Sequence, residues 1–278
     1  MAILVTINYN YGIEYHIRQL RTPTLTILAF FLLYVSILAA SFGLHFISSG
    51  YYLREKSKFW ILLLIAPLLF AIKTGINSSN WTNWFFGTNN KSSFLVSCLH
   101  WPCMAIFTLT AVFIVSRLLH LQKLQLGLSF KKTNYSTYVL LVAFMLPFLF
   151  MAALQHDFQS MYPKYQHALY PPQGIFELAV YELCYGTDFF TIELFFRGFL
   201  VLAFIQLIGK EAILPVAAFY CSIHFGKPLF ECISSFFGGV LLGIVVYRSG
   251  TIWSGLIVHL GIAWLMEAAG ITMKYIFG

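Results

Sequence analysis

Long apolar runs separated by short polar stretches dominate this chain. A membrane-spanning helix needs about 20 predominantly apolar residues, within a range of roughly 17–25. Eight stretches are candidates: about 24–47, 59–76, 93–116, 137–154, 187–208, 211–225, 229–247 and 252–270. They predict an all-α fold, a polytopic transmembrane helical bundle of about eight spans. The sixth is short and contains Pro215, which predicts a tilted helix or one buried within the bundle. Ahead of the fifth, "YPPQGIFELAVYELCYG" (170–186) reads differently. Its prolines stop any helix before Gly174. Beyond them Phe176, Ala179, Val180 and Leu183 recur at helical spacing, with Glu177 and Glu182 among them. That predicts an amphipathic interfacial helix leading into the fifth span. The polar stretch 77–92 reads as a loop, and it carries "NSS", "NWT" and "NKS", three matches to the glycosylation triplet.

Composition agrees with a membrane protein. Of 278 residues 59% are hydrophobic, 18% aromatic and 10% charged, where a soluble domain has about a quarter charged. Mean hydropathy is +0.78. The net charge of +7 is scattered through loops rather than gathered in a patch, so the expected partner is anionic lipid headgroups and not nucleic acid. Lys and Arg are slightly more numerous in the odd-numbered loops, which favours termini outside by the positive-inside rule. The start of the chain lacks the basic head and cleavage site of a signal peptide, so the first span is expected to stay as an anchor. Cys98, Cys103, Cys184, Cys221 and Cys232 lie in or near apolar runs without a CxxC pair, the pattern of small buried hydrophobes. Cys98, His100 and Cys103 lack the second half of a zinc motif.

Against that background the ionisable residues of the last four spans stand out. "DFFTIELFFRGFL" (188–200) carries Asp188, Glu193 and Arg197; the sixth span ends at His224; the eighth holds His259, with Glu267 near its end. Charge in hydrocarbon is costly, so such residues face a bundle interior, pair, or do chemistry. Glu193 and Arg197 at i, i+4 share a helix face and are expected to pair there. Antiparallel neighbours would bring a carboxylate and two imidazoles to one depth. That set activates water for attack on a peptide bond, by general-base catalysis or through a metal. Arg197 would favour the ionised carboxylate.

The same residues resemble the CAAX protease and bacteriocin-processing family of intramembrane proteases. "IELFFRGFL" is similar to its first motif: two adjacent glutamates, three residues, then arginine, often with glycine after it. "YCSIH" supplies the second, an aromatic residue three positions before a histidine, as Tyr220 and His224. "FFGGVLLGIVVYRSGTIWSGLIVHLGIA" has the layout of the third, leading through Gly239, Gly243 and Gly250 to His259. The resemblance covers about 187–270. It implies a scaffold of spans over 1–155, with an interfacial helix and the catalytic core over 156–278. It also implies an integral, multi-pass endopeptidase acting on a membrane-associated peptide or protein. Its catalytic candidates here are Glu193, His224, His259, Arg197 and Asp188. It leaves two alternatives for cofactors: none, or a divalent metal such as zinc.

Two positions depart from the pattern. The family's first glutamate, its water-activating base, falls at Ile192, and the polar residue expected four after the last histidine is Ala263. Asp188 and Glu267 each lie one helical turn from those gaps and are the candidate replacements. The alternatives are that Asp188 caps the head of the fifth span and that Glu267 is solvated near the membrane surface. A catalytically silent relative that binds a membrane protein or peptide remains the second reading. A proton-coupled transporter is the third, and it predicts paired repeats that the sequence lacks.

Overall fold

The structure is a computed structural model describing residues 1–49, 56–76, 90–120, 126–129, 135–167, 172 and 174–277. Among these residues every regular element is helical. The elements are α1 (Ala2–Tyr11), α2 (Ile13–Arg18), α3 (Pro23–Ser49), α4 (Lys56–Gly75), α5 (Asn90–Leu118), α6 (Tyr135–Ala153), α7 (His156–Met161) and α8 (Ile175–Glu193). After a π-type segment (Leu194–Val201) come α9 (Leu202–Ile208), α10 (Ile213–Ser222), α11 (Leu229–Ser249) and α12 (Trp253–Phe277). The triplets "NSS" and "NWT" lie outside the described residues; Asn90 of "NKS" opens α5.

Among the described residues seven helical runs are long and apolar enough to cross a membrane. One of them, Ile175–Ser222, has 48 residues, roughly 70 Å at 1.5 Å per residue. That is more than twice the hydrocarbon thickness of about 30 Å, so it is not one straight crossing. It turns at Gly209, whose φ of 80° suits a residue without a side chain. The fifth and sixth predicted spans both lie within it. The bundle is therefore the polytopic all-α fold that hydropathy predicts. The protein is an integral, multi-pass membrane protein.

The amphipathic helix expected before the fifth span is continuous with it. Helical structure runs without a break from Ile175 into the span. Its polar positions Glu177 and Glu182 are carried on a helix that continues past them, so the helix starts at Ile175 and not near Asp188.

The chain packs as two interleaved units: 1–76, 110–129 and 194–252 form one, and 77–109, 130–193 and 253–278 the other. In the first unit α3 packs on α4, and α10 packs on α3 and α11. Apolar lipid offers helices no hydrophobic drive to associate, so close packing does the work. Gly239 and Gly243 of α11 lie against Ala217, Tyr220 and Ile213 of α10, whereas Gly238 faces open space. Between the helices is an aromatic core. Phe42 meets Phe59 at 5.1 Å and Phe204 at 4.8 Å, and Phe70 meets Phe195 and Phe196 at 5.3 and 5.2 Å. The short α10 is buried from Pro215 to Ser222, the second of the two alternatives its length allowed.

In the second unit α12 packs on α6 and α8. Gly261 of α12 admits Val142, and Gly186 of α8 admits Leu260 and Trp264. The outward side of α6 presents Leu140, Phe144, Phe148 and Met151, as a helix bathed in lipid does. Glu267 corrects its expectation. It is 3% exposed, not solvated, and its Oε2 accepts the Lys164 amide at 2.8 Å. The backbone at Tyr162 and Pro163 packs against Gly270 of the same helix, and this holds the Lys164 amide over the carboxylate.

Gly198 explains why glycine follows the arginine. A methyl there would collide with the Leu126 carbonyl oxygen and crowd Ile252. Gly198→Ala should cost about 1–3 kcal/mol as overpacking does, while Gly238→Ala should be close to neutral. Thermal unfolding of the two variants in detergent checks this, with a lowered midpoint for the first alone.

Candidate active site

Glu193 closes α8, and its side chain is wholly buried. His259 lies in the first third of α12. Their side chains meet: His259 Nδ1 and Glu193 Oε1 are 2.9 Å apart. When the carboxylate is ionised it only accepts, the imidazole Nδ1–H donates, and Nε2 carries the lone pair of the neutral ring. The His259 side chain is 13% exposed against 0% for Glu193. The carboxylate therefore sits at the closed end of the pair and the imidazole toward the accessible one. Phe189, one turn before Glu193, holds the imidazole from the side in an edge-to-face contact at 4.9 Å. Behind it the stack continues through Tyr185 at 5.0 Å to Trp101 at 5.1 Å and on to Tyr181 at 5.2 Å. Aromatic contacts of this kind add about 0.5–1.5 kcal/mol each beyond area burial. They leave the imidazole little rotational freedom.

Past Glu193 the helix widens. Leu194–Val201 is π-type, and all eight of its residues are buried. Such widenings recur at functional sites. Their turn is longer than an α-helical one. Both residues are buried as expected. In the first unit the Arg197 guanidinium stacks over the Tyr220 ring, 4.0 Å from its centroid. The delocalised, weakly hydrated guanidinium suits this better than an ammonium would.

His224 belongs to the same unit and lies in the turn that follows α10. Its Nδ1 is 3.0 Å from the Tyr220 carbonyl oxygen. A carbonyl only accepts, so this nitrogen bears the proton and Nε2 the lone pair. The Tyr220 ring also meets the imidazole edge-to-face at 4.8 Å. Tyr220 thus touches both Arg197 and His224, a role that its place in the second motif did not disclose.

The candidate replacements fare differently from expectation. Asp188 is half-buried in the body of α8, thirteen residues from the helix start, so it is not an N-cap. Ile192 is buried, and Ala263 packs with Tyr185 and Phe189. The positions at which the family pattern carries polar groups are filled here by apolar packing. Among the described residues no three His, Cys, Asp or Glu side chains form a group that would hold a metal ion. A catalytic zinc takes three protein ligands, and one carboxylate hydrogen-bonded to one imidazole does not make that set.

With this geometry in place the comparisons are specific. Residues 175–265 match the family described as Type II CAAX prenyl endopeptidase Rce1-like. This third of the chain is similar to that family. The Rce1-like segment contains Glu193, Arg197, Tyr220, His224 and His259, and it supports the resemblance to the CAAX protease and bacteriocin-processing family. It begins at the true head of α8, upstream of where the motifs alone placed it. No curated protein and no solved structure matches the chain.

The buried pair makes an energetic prediction. Glu193→Leu and His259→Leu should each destabilise, because each strands a polar partner in the interior. The double variant should recover part of that loss, giving a coupling of about 0.5–3 kcal/mol as for residues in direct contact. Unfolding of the three variants in detergent measures it.

Proposed function

We propose that the protein is an intramembrane endopeptidase that hydrolyses a peptide bond of a membrane-associated protein or peptide. The observation that supports this most is the Glu193–His259 hydrogen bond within the Rce1-like segment. A carboxylate that holds Nδ1–H fixes the tautomer and stabilises the imidazolium, which makes Nε2 an effective base. In this reading His259 Nε2 takes a proton from water, and the water oxygen attacks the scissile carbonyl carbon. The C–N bond then breaks, and the leaving amine takes the proton back from the imidazolium. Glu193 remains a carboxylate throughout. The base role thus moves from position 192, now isoleucine, to the pair formed by the next residue.

His224 and Arg197 enter on the strength of their motif positions, His224 as a second imidazole for the water or the oxyanion and Arg197 as the countercharge of the set. Residues 156–278 are the catalytic part and 1–155 the scaffold. The family's description directs the substrate search first to prenylated C-terminal peptides presented at the membrane.

A second reading has its own support. Ile192 and Ala263 are packed into apolar surroundings, as in a catalytically silent relative that retains only a binding role. The two readings separate in a comparison of polypeptide termini from cells with the protein, without it, and with variants. The endopeptidase yields new termini in membrane-associated polypeptides. His259→Ala and Glu193→Gln should lower them by about 10²–10⁴-fold, the usual worth of a general base, and Asp188→Asn tests the other candidate carboxylate in the same assay. Wild-type cells without any new termini would establish the silent relative instead.

A further inference from the structure

The Rce1-like match begins at residue 175, yet the turn that carries His224 is held by the first eighteen residues of the chain. Asn8 of α1 is 3% exposed. Its Nδ2 donates to the Phe225 carbonyl at 2.9 Å, and its Oδ1 accepts the Glu14 amide at 3.0 Å. One buried amide therefore ties the residue after His224 to the α1–α2 junction. The next residue adds a second tie: the Tyr9 hydroxyl donates to the Lys227 carbonyl at 2.5 Å. Glu14 supplies a third contact, its carboxylate lying where a side chain at Gly226 would stand; Arg18 bonds the same carboxylate.

These contacts cover Phe225, Gly226 and Lys227 in succession. They reach across more than two hundred positions of sequence. Beneath them Val5 is buried with Ala218 and Cys221 of α10, Phe225, and Cys232 of α11. An apolar base thus seats α1 while polar ties fix the turn. The Tyr9 phenol is pushed above its ordinary range, chiefly by burial and then by the nearby Cys232 thiol. Its O–H consequently stays protonated and keeps donating at any working pH.

We infer that the α1–α2 pair is a clamp for the His224 turn, with Asn8 and Tyr9 acting as positioning residues. The imidazole is anchored on its α10 side by the Tyr220 carbonyl. The chain just beyond it is tied by turn bonds from the Phe225 and Lys227 amides to the Ser222 and His224 carbonyls, and α11 starts only at Leu229. The clamp adds to those local bonds a long-range restraint on the Phe225 and Lys227 carbonyls. As a statement about catalysis the inference rests on the endopeptidase reading; as a statement about the turn it does not.

The test uses the full chain in detergent or nanodiscs and the variants Asn8→Ala and Tyr9→Phe, with Asn10→Ala, an exposed position on the same helix, as control. Amide hydrogen exchange at 223–228 should quicken by about fivefold or more for one lost hydrogen bond, while α10 and the Asn10 control stay unchanged. On a cleaved substrate kcat should fall by a similar factor with KM held, and the limb of the pH profile set by His224 should move. Tyr9→Phe removes a single oxygen, so it keeps the test decisive if Asn8→Ala fails to fold. Wild-type exchange at 223–228 in a folded Tyr9→Phe or Asn8→Ala variant would overturn the clamp. Faster exchange in a protein that cleaves nothing would uphold the clamp and remove the catalytic reading alone.

Discussion

A hydrogen bond between a carboxylate and an imidazole, made where water is scarce, is the constraint on which the second unit depends. In water such a bond contributes little net, because both groups are already solvated. Inside a bundle the alternative is a buried group with nothing to bond, so the bond is required and the helices must bring it about. Gly186 lets α8 approach Leu260 and Trp264 of α12. Phe189 and the aromatic stack behind it then hold the imidazole at the angle the bond needs. Together they hold the imidazole Nδ1 against the Glu193 carboxylate.

The first unit handles its buried charge differently. Arg197 lies on the face of Tyr220, and the helix that bears it is widened over eight buried residues. Widening rotates side chains away from their α-helical directions. Tyr220 carries three duties at once: its face receives Arg197, its edge packs on His224, and its carbonyl sets the histidine tautomer.

Much of this was legible before any coordinates. Apolar runs of spanning length marked the bundle, because lipid permits few other solutions. Glu193, Arg197, His224 and His259 declared themselves by being ionisable in those runs. What stayed hidden depends on tertiary context. Prolines and two glutamates made 170–186 look like a separate surface helix, and so Asp188 looked like a cap; the continuous α8 removes both readings. Glu267 looked solvated because nothing local shows that Lys164 will come to meet it. The widened segment and the link from Asn8 to Phe225 leave no trace in hydrophobic periodicity.

Replacing the expected glutamate by Ile192 does not empty the site of a base if the next residue acts through a histidine. That claim concerns one proton on one ring, and nitrogen NMR of histidine-labelled protein reads it directly. The account predicts that His259, near neutral pH, has a protonated Nδ1 and a lone pair on Nε2, and that Glu193→Leu abolishes this preference. A proton on Nε2, with Nδ1 accepting from a neutral Glu193 carboxyl, would contradict it, because His259 would then present no base toward its accessible side.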